Sequence, residues 1–330
     1  MDVDLIYYIV ENFLLCSEFC CGLLSFVCSV IFGAQFWNAQ HFHENLRKCI
    51  FLLNFFICFC PILHPITVFL GKSESSPVTS GKYSQAVVLY TSQILHHVSI
   101  LFLHTKYFLL IVERAFAYRE RKSYENSKNS YVLKLMLGTA FLCICEISTK
   151  LVVLKVVEKG DTVDVWLSKA FTVDRSPSYF LFTYVLAVSS GVIGYMCFAN
   201  LLSRAQFQRH KSQSLSERFE LRQTEVITTI MRPLCTGYCL CVASVMPTTI
   251  VAARIVFWGD DPAWQRIYGV LIMYGHWIVG VYNVGATIYT MQKMKAMSGK
   301  SRVGIFCHQD ETERHFSQLA EQWKGENIRR

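Results

Sequence analysis

The chain has 330 residues, of which 52% are hydrophobic and 17% charged, and its formal net charge is +8. A soluble domain carries about 25% charged residues, so this composition excludes two ordinary soluble domains, a disordered chain, a collagen-like chain and a small disulfide scaffold. A basic balance on so apolar a chain is poor ground for a nucleic-acid partner, and none is expected.

A helix needs about 20 mostly apolar residues to cross a bilayer, and seven stretches qualify in chain order. The first, 19–37, is uncharged. The residues before it include Asp2, Asp4 and Glu11 but no Lys or Arg. They lack the basic start of a signal peptide, so the stretch is expected to stay as a helix. The second, 49–70, is also uncharged, and Pro61 and Pro65 flank His64 and predict a kink. The third, 86–113, carries Lys106. The fourth, 132–157, is the least apolar, with Lys134, Glu146, Lys150 and Lys155. Glu146 and Lys150 stand at i and i+4, which predicts an intrahelical ion pair serving either as structural glue or as part of a charged ligand site. The fifth is 179–202, the sixth, 234–257, carries Arg254, and the seventh, 267–290, is uncharged. All are too long for barrel strands of about 10 residues. The expected fold is an all-α membrane protein, a seven-transmembrane helix bundle over 1–290 with a tail at 291–330. In the tail, Phe316, Leu319, Ala320 and Trp323 follow an i, i+3, i+4, i+7 pattern. That spacing predicts an amphipathic helix over 312–324 that lies on lipid.

The connecting segments alternate in charge: 21 Lys and Arg fall on one side of the spans and six on the other. Positive loops stay in the cytosol, so the N-terminus is expected outside and the tail inside. An odd span count with no internal repeat argues against transporters built from paired repeats. Of the 14 cysteines, none lies in an outer loop. A disulfide from the third helix to an outer loop is therefore impossible, and the cysteines are expected to pack as small apolar residues. No cysteine or histidine spacing indicates a metal, and no cofactor is expected.

The third stretch ends Glu113-Arg114-Ala115-Phe116-Ala117. An acid–Arg pair there either closes on itself or sends the Arg across the bundle, where its charge can bias opening of an inner cleft. An interfacial, snorkelling pair explains the same residues. Glu113-Arg114-x-x-Ala117 followed by Tyr124-Glu125 resembles the signature of nematode serpentine chemoreceptors, as does Leu215-Ser216-Glu217-Arg218-Phe219 before the sixth stretch. Together they resemble the Sra superfamily, most closely its Sre-type branch. Tyr118 stands where that group often has Thr or Ser, and Gln223-Thr224 replaces its usual Glu-Asn.

The resemblance implies a chemosensory receptor in the plasma membrane, in the sensory cilium of a chemosensory neuron, acting through a heterotrimeric G protein. Glu113, Arg114, Arg119, Lys122, Tyr124, Glu125, Arg218 and Arg222 are the residues it assigns to coupling and switching. The basic rim they belong to suits an acidic partner helix, and it suits anionic membrane lipid equally.

His96 lies 18 residues, or five helical turns and about 27 Å, before Arg114, so the two share a face. Ser92 and Ser99 are near that face. His64, Tyr184, Thr248, Tyr274 and His276 lie at similar depths on other spans. These eight residues are the candidate lining for a small-molecule chemical cue, each with interhelical packing as its alternative. An enzyme is disfavoured because no His-box set, Gly-x-Ser-x-Gly or His-Glu-x-x-His occurs. A ligand-gated channel or small-solute transporter is the remaining alternative, with Glu18, Lys106, Glu146 and Arg254 as a possible ion path.

Overall fold

A computed structural model describes the backbone of residues 3–39, 42–73, 76–121, 131–157, 162–212, 215–259 and 261–327. The side chains described run to residue 296 and leave out 3, 131, 210, 215 and 216. Among the described residues every regular element is helical: α1 (Val3–Trp37), α2 (Glu44–Cys58), α3 (Cys60–Ser73), α4 (Tyr83–Arg119), α5 (Tyr131–Val157), α6 (Val163–Phe171), α7 (Pro177–Lys211), α8 (Leu215–Ser244), α9 (Met246–Trp258) and α10 (Pro262–Asn327). The chain divides into two compact units, Met1–Thr287 and Ile288–Arg330. The second unit is helical through Asn327. The segment 312–324 is therefore helical, but the side chains that would form its apolar face lie outside the described residues.

Seven helical segments are long and apolar enough to cross a membrane: Asp4–Trp37, Glu44–Ser73, Tyr83–Arg119, Val132–Val156, Pro177–Arg209, Glu217–Ser244 and Pro262–Ala296. The expected seven-transmembrane bundle is what the chain forms. α4 is the most buried span and touches α2, α3, α5, α6, α7 and α8, whereas α5 is the least buried. α5 turns Phe141, Leu142, Val152 and Val156 outward, and α7 does the same with Phe182, Val185, Val192 and Ile193. So large an apolar exterior suits hydrocarbon as the solvent.

Two spans are broken at proline. Phe59 interrupts α2 and α3, just before Pro61, and Pro65 sits inside α3. Having no N–H, Pro65 leaves the Pro61 carbonyl without its helical hydrogen bond. Val245 separates α8 from α9, just before Pro247, and the chain crosses the break by i→i−3 bonds, Val245 N–H to Val242 O and Thr248 N–H to Val245 O. Such bonds satisfy the backbone without bulk water.

Three local expectations are revised. α1 starts well before residue 19, and its early turns are anchored by Asp4 to Arg266 and by Glu11 to Lys72 at 3.5 Å. The segment 158–178 contains α6 rather than loop alone. Glu146 and Lys150 do not close an ion pair with each other. Glu146 lies 2.8 Å from His97 Nε2 of α4, while Lys150 donates to Thr172 O at 2.8 Å and sits over the Tyr179 ring. Interhelical partners already present on α4 and α7 outcompete the local pair, whose intrinsic worth is only about 0.2–0.5 kcal/mol.

Polar bonds tie α6 to the bundle. Asp164, in the first turn of α6, accepts from Val78 N–H at 3.0 Å, Thr79 N–H at 2.9 Å, the Thr79 hydroxyl at 2.6 Å and the Tyr90 hydroxyl at 2.5 Å. Burial alone would raise its carboxyl, but these donors more than offset it and hold the pKa at about 2. The group is thus depressed from an ordinary value near 3.9. Its stabilisation is present in full above about pH 4 and fades as pH falls toward 2. Asp164→Ala should cost about 1–3 kcal/mol at neutral pH, with four donors left without their acceptor. In thermal melts, the gap between wild type and variant should narrow from pH 5 to pH 2, and a gap independent of pH refutes the assignment.

Candidate functional site

Beyond α6 the chain runs through Thr172–Arg175 into the top of the bundle. Lys150 holds Thr172 O, and the Tyr268 hydroxyl holds Asp174 O at 2.7 Å. The Asp174 side chain is thereby set between α3 and α10. His276 Nε2 lies 3.0 Å from Asp174 Oδ2, and His64 Nε2 lies 3.5 Å from the same oxygen. The other nitrogen of His64, Nδ1, lies 2.7 Å from Glu18 Oε1 of α1. The rings of His64 and His276 stack with centroids 3.7 Å apart, and His96 lies 5.3 and 5.1 Å from them. All five side chains are buried. Desolvation would raise the Asp174 carboxyl, yet hydrogen bonds from His276 and His64 hold it well below the usual carboxylate range. Asp174 therefore stays an anion, and the imidazoles are its donors.

Two cavities meet this cluster. The deeper, of about 80 Å³, is walled almost wholly by apolar groups, among them Ile100, Leu103, Phe180, Tyr184, Ala187 and Val242, with Asp174 and His276 at its polar edge. The second, of about 350 Å³, is lined by His64, Gln93, His96, Asp174, Arg175 and Tyr268. Asp174 and Ile272 line both. The second alone reaches the few hundred Å³ typical of a small-molecule site, and the deeper extends it into the bundle.

The sequence-predicted residues divide between two fates. His64, His96, His276 and Tyr184 reach the cavities. Ser92 and Ser99 are buried, but their hydroxyls donate to Leu89 O at 2.7 Å and Leu95 O at 2.8 Å on their own helix. Thr248 bridges α9 to Leu271 O at 3.3 Å, and Tyr274 stacks on Trp277 without lining either cavity. Two acids went unassigned to this site. Glu18 was legible as a charge beside an apolar run. Asp174 carries no signal, because only the tertiary path of 172–176 brings a loop acid inside.

Below the deeper cavity, Lys106 Nζ lies 4.4 to 5.4 Å from the ring centroids of Tyr282, Tyr107 and Tyr238. Tyr107 and Tyr282 share a hydroxyl hydrogen bond, and His104 Nδ1 contacts the Tyr238 hydroxyl at 2.9 Å. This layer joins α4, α8 and α10 between the two ends of the bundle.

At the opposite end, Glu113 and Arg114 are both fully buried and form a two-pronged ion pair within α4, Nη2 to Oε1 at 2.6 Å and Nε to Oε2. Of the two geometries open from sequence, the local one is adopted. Arg121 pairs with Glu217 of α8, and Glu217 also accepts from the Ser212 hydroxyl at 2.8 Å. Arg218 donates Nε to Ser212 O at 2.7 Å, so the second motif stitches α7 and α4 to α8. Arg119, Arg218 and Arg222 are exposed. Lys122, Tyr124 and Glu125 lie outside the described residues.

No curated protein matches the chain. The family model described as serpentine type 7TM GPCR receptor class ab chemoreceptor matches residues 8–324. The two short motifs point to the Sre-type branch of the Sra superfamily, whereas the matched class, over nearly the whole length, is ab. With seven spans of membrane length and that match, the chain is an integral membrane protein and belongs to the serpentine class ab chemoreceptor family.

Proposed function

We propose that the protein is a G-protein-coupled chemosensory receptor of the plasma membrane. Its α6 end faces outside, in keeping with the 21-to-6 distribution of Lys and Arg. A small environmental molecule enters beneath α6, places an apolar body in the deeper cavity and sets a polar or basic group against Asp174. The observation that carries this reading is the apolar cavity with a buried anion at its edge, in a member of a chemoreceptor family. Ligand binding there shifts the Lys106–tyrosine layer and favours an arrangement in which the opposite end opens to a heterotrimeric G protein. The exposed Arg119, Arg218 and Arg222 form the rim it meets, which also contacts anionic lipid.

The channel reading has weaker support. Glu18 pairs with His64, Lys106 sits in its tyrosine layer, Glu146 contacts His97, and Arg254 lies over Trp258 and Trp264. Each charge is held by a separate set of partners.

The test is a screen of volatile and water-soluble compounds on the receptor in a G-protein reporter cell. Ala187→Leu fills the deeper cavity, and for any active compound it should move the dose response at least about tenfold, equivalent to ~1.4 kcal/mol, with surface delivery intact. An unmoved curve removes the pocket. A current that persists with G-protein signalling blocked supports the channel instead.

A further inference from the structure

The Glu18, His64 and His276 ligating atoms lie within 4.8 Å of one another, although they come from α1, α3 and α10. A set drawn from three helices is a product of the bundle, not of one motif. Two further observations point to an absent electrophile. Glu18 Oε2 and His96 Nε2 have no hydrogen-bond partner, and both residues are at least 99% buried. An unsatisfied carboxylate oxygen and imidazole nitrogen at one buried site are costly unless something binds them.

We propose that this cluster is a binding site for one borderline divalent cation of the Zn²⁺ or Cu²⁺ class, with His64, His276 and Glu18 as ligands; His96, whose ring lies 5.3 and 5.1 Å from those of His64 and His276, moves in as the fourth. The donor set argues the class: imidazole nitrogen with one carboxylate suits Zn²⁺ or Cu²⁺, whereas Ca²⁺ and Mg²⁺ require an oxygen cage. Asp174 supplies the outer support. It lies on Nε2 of both His64 and His276, which turns their Nδ1 atoms to the ion in the carboxylate–histidine–metal arrangement. Metal–ligand distances of about 2.0–2.2 Å place tetrahedral ligand atoms roughly 3.3–3.5 Å apart. The set therefore rearranges on binding: the 2.7 Å between His64 Nδ1 and Glu18 Oε1 opens as the ion comes between them, the wider gaps close, and the stacked rings of His64 and His276 tilt so that their lone pairs converge. The proton shared between His64 Nδ1 and Glu18 leaves to solvent as the ion takes its place. The cavity of about 350 Å³ that reaches His64 and His96 is the entry path. The proposal concerns the cluster alone and holds whether or not an organic cue also binds.

The experiment uses the full chain purified in lipid nanodiscs, stripped with chelator, without any odorant or G protein. Zn²⁺ titration calorimetry should give one ion per chain, and Zn²⁺ should raise the melting temperature. The electron paramagnetic resonance spectrum of bound Cu²⁺ should show nitrogen hyperfine coupling. Glu18→Gln and His276→Gln should lose binding, and Asp174→Asn should weaken it about 10–100-fold. His104→Gln, a half-buried histidine of the tyrosine layer, should leave it unchanged. Absence of a saturable single site in the wild type, Cu²⁺ without nitrogen coupling, or full binding in both ligand variants overturns the proposal. The wild-type spectra and melts decide it even if a variant fails to fold.

Discussion

Replacing Arg114 by Ala is expected to abolish signalling and also to destabilise the receptor. The two effects have different causes. Glu113 and Arg114 neutralise each other in a site with no exposure. Removing one partner of a buried ion pair upsets its charge balance, at about 3–5 kcal/mol. A receptor that fails to reach the surface also fails to signal, so Arg114→Ala alone confounds stability with function. The double variant Glu113→Gln, Arg114→Gln removes both charges while keeping most of the volume and hydrogen-bonding capacity. It should recover surface delivery, because replacing a buried pair by neutral groups is often tolerated. If the Arg114 charge favours the open inner end, as proposed, the double variant should also remain silent to ligand. Full signalling from the double variant at normal surface density would show that the pair is only structural. Delivery is read by surface labelling and signalling by the reporter.

Gly22→Ala is the second large effect, and it acts through packing. Pro65 cannot donate to the carbonyl of Pro61, so that oxygen is left facing α1. A Cβ at Gly22 would meet this oxygen and lie 2.9 Å from the Pro61 carbonyl carbon. Both obstacles are backbone, so the helices themselves must part. Small residues at helix contacts allow such close approach in membranes, and the loss of one forfeits packing along the seam. Overpacking of this kind costs about 1–3 kcal/mol, and here no side chain can yield to reduce it. Glu18 stands one turn before Gly22 on the same face, so displacing α1 from α3 also draws Glu18 away from His64. The variant should show a lower melting temperature and weakened metal binding together. Gly138→Ala is the contrast. Nothing lies within 4 Å of a Cβ there, and α5 gains helix propensity of about 0.8–1 kcal/mol. Equal stability of the two variants would refute the close-contact account.

The histidines show how far the sequence carries the site and where it stops. His96 and Arg114 share a face because five helical turns separate them, and both are buried as that register demands. The same reasoning put Ser92 and Ser99 inward, where they are, yet helical phase cannot say whether a hydroxyl reaches a cavity or bonds back to its own turn. Thr248 and Tyr274 share the right depth with His276 and face other neighbours. Depth along a span is a one-dimensional quantity, whereas a site requires agreement in rotation and in partner.

The seven spans, the charge difference between the two sets of connecting segments and the absence of a cysteine from every segment that joins two spans were determined by the sequence alone. Each rests on local composition or counting: a bilayer accepts only long apolar helices, and a cysteine that is absent cannot be oxidised. The tertiary structure decided the rest. It made Glu146 a partner of His97 rather than of Lys150, turned α6 into a cap held by Asp164, and carried Asp174 from a loop to the middle of three histidines. Those pairings join residues dozens to more than a hundred positions apart. They form because a desolvated charge takes the best partner that packing brings to it, and the packing of seven helices is not written in any one of them.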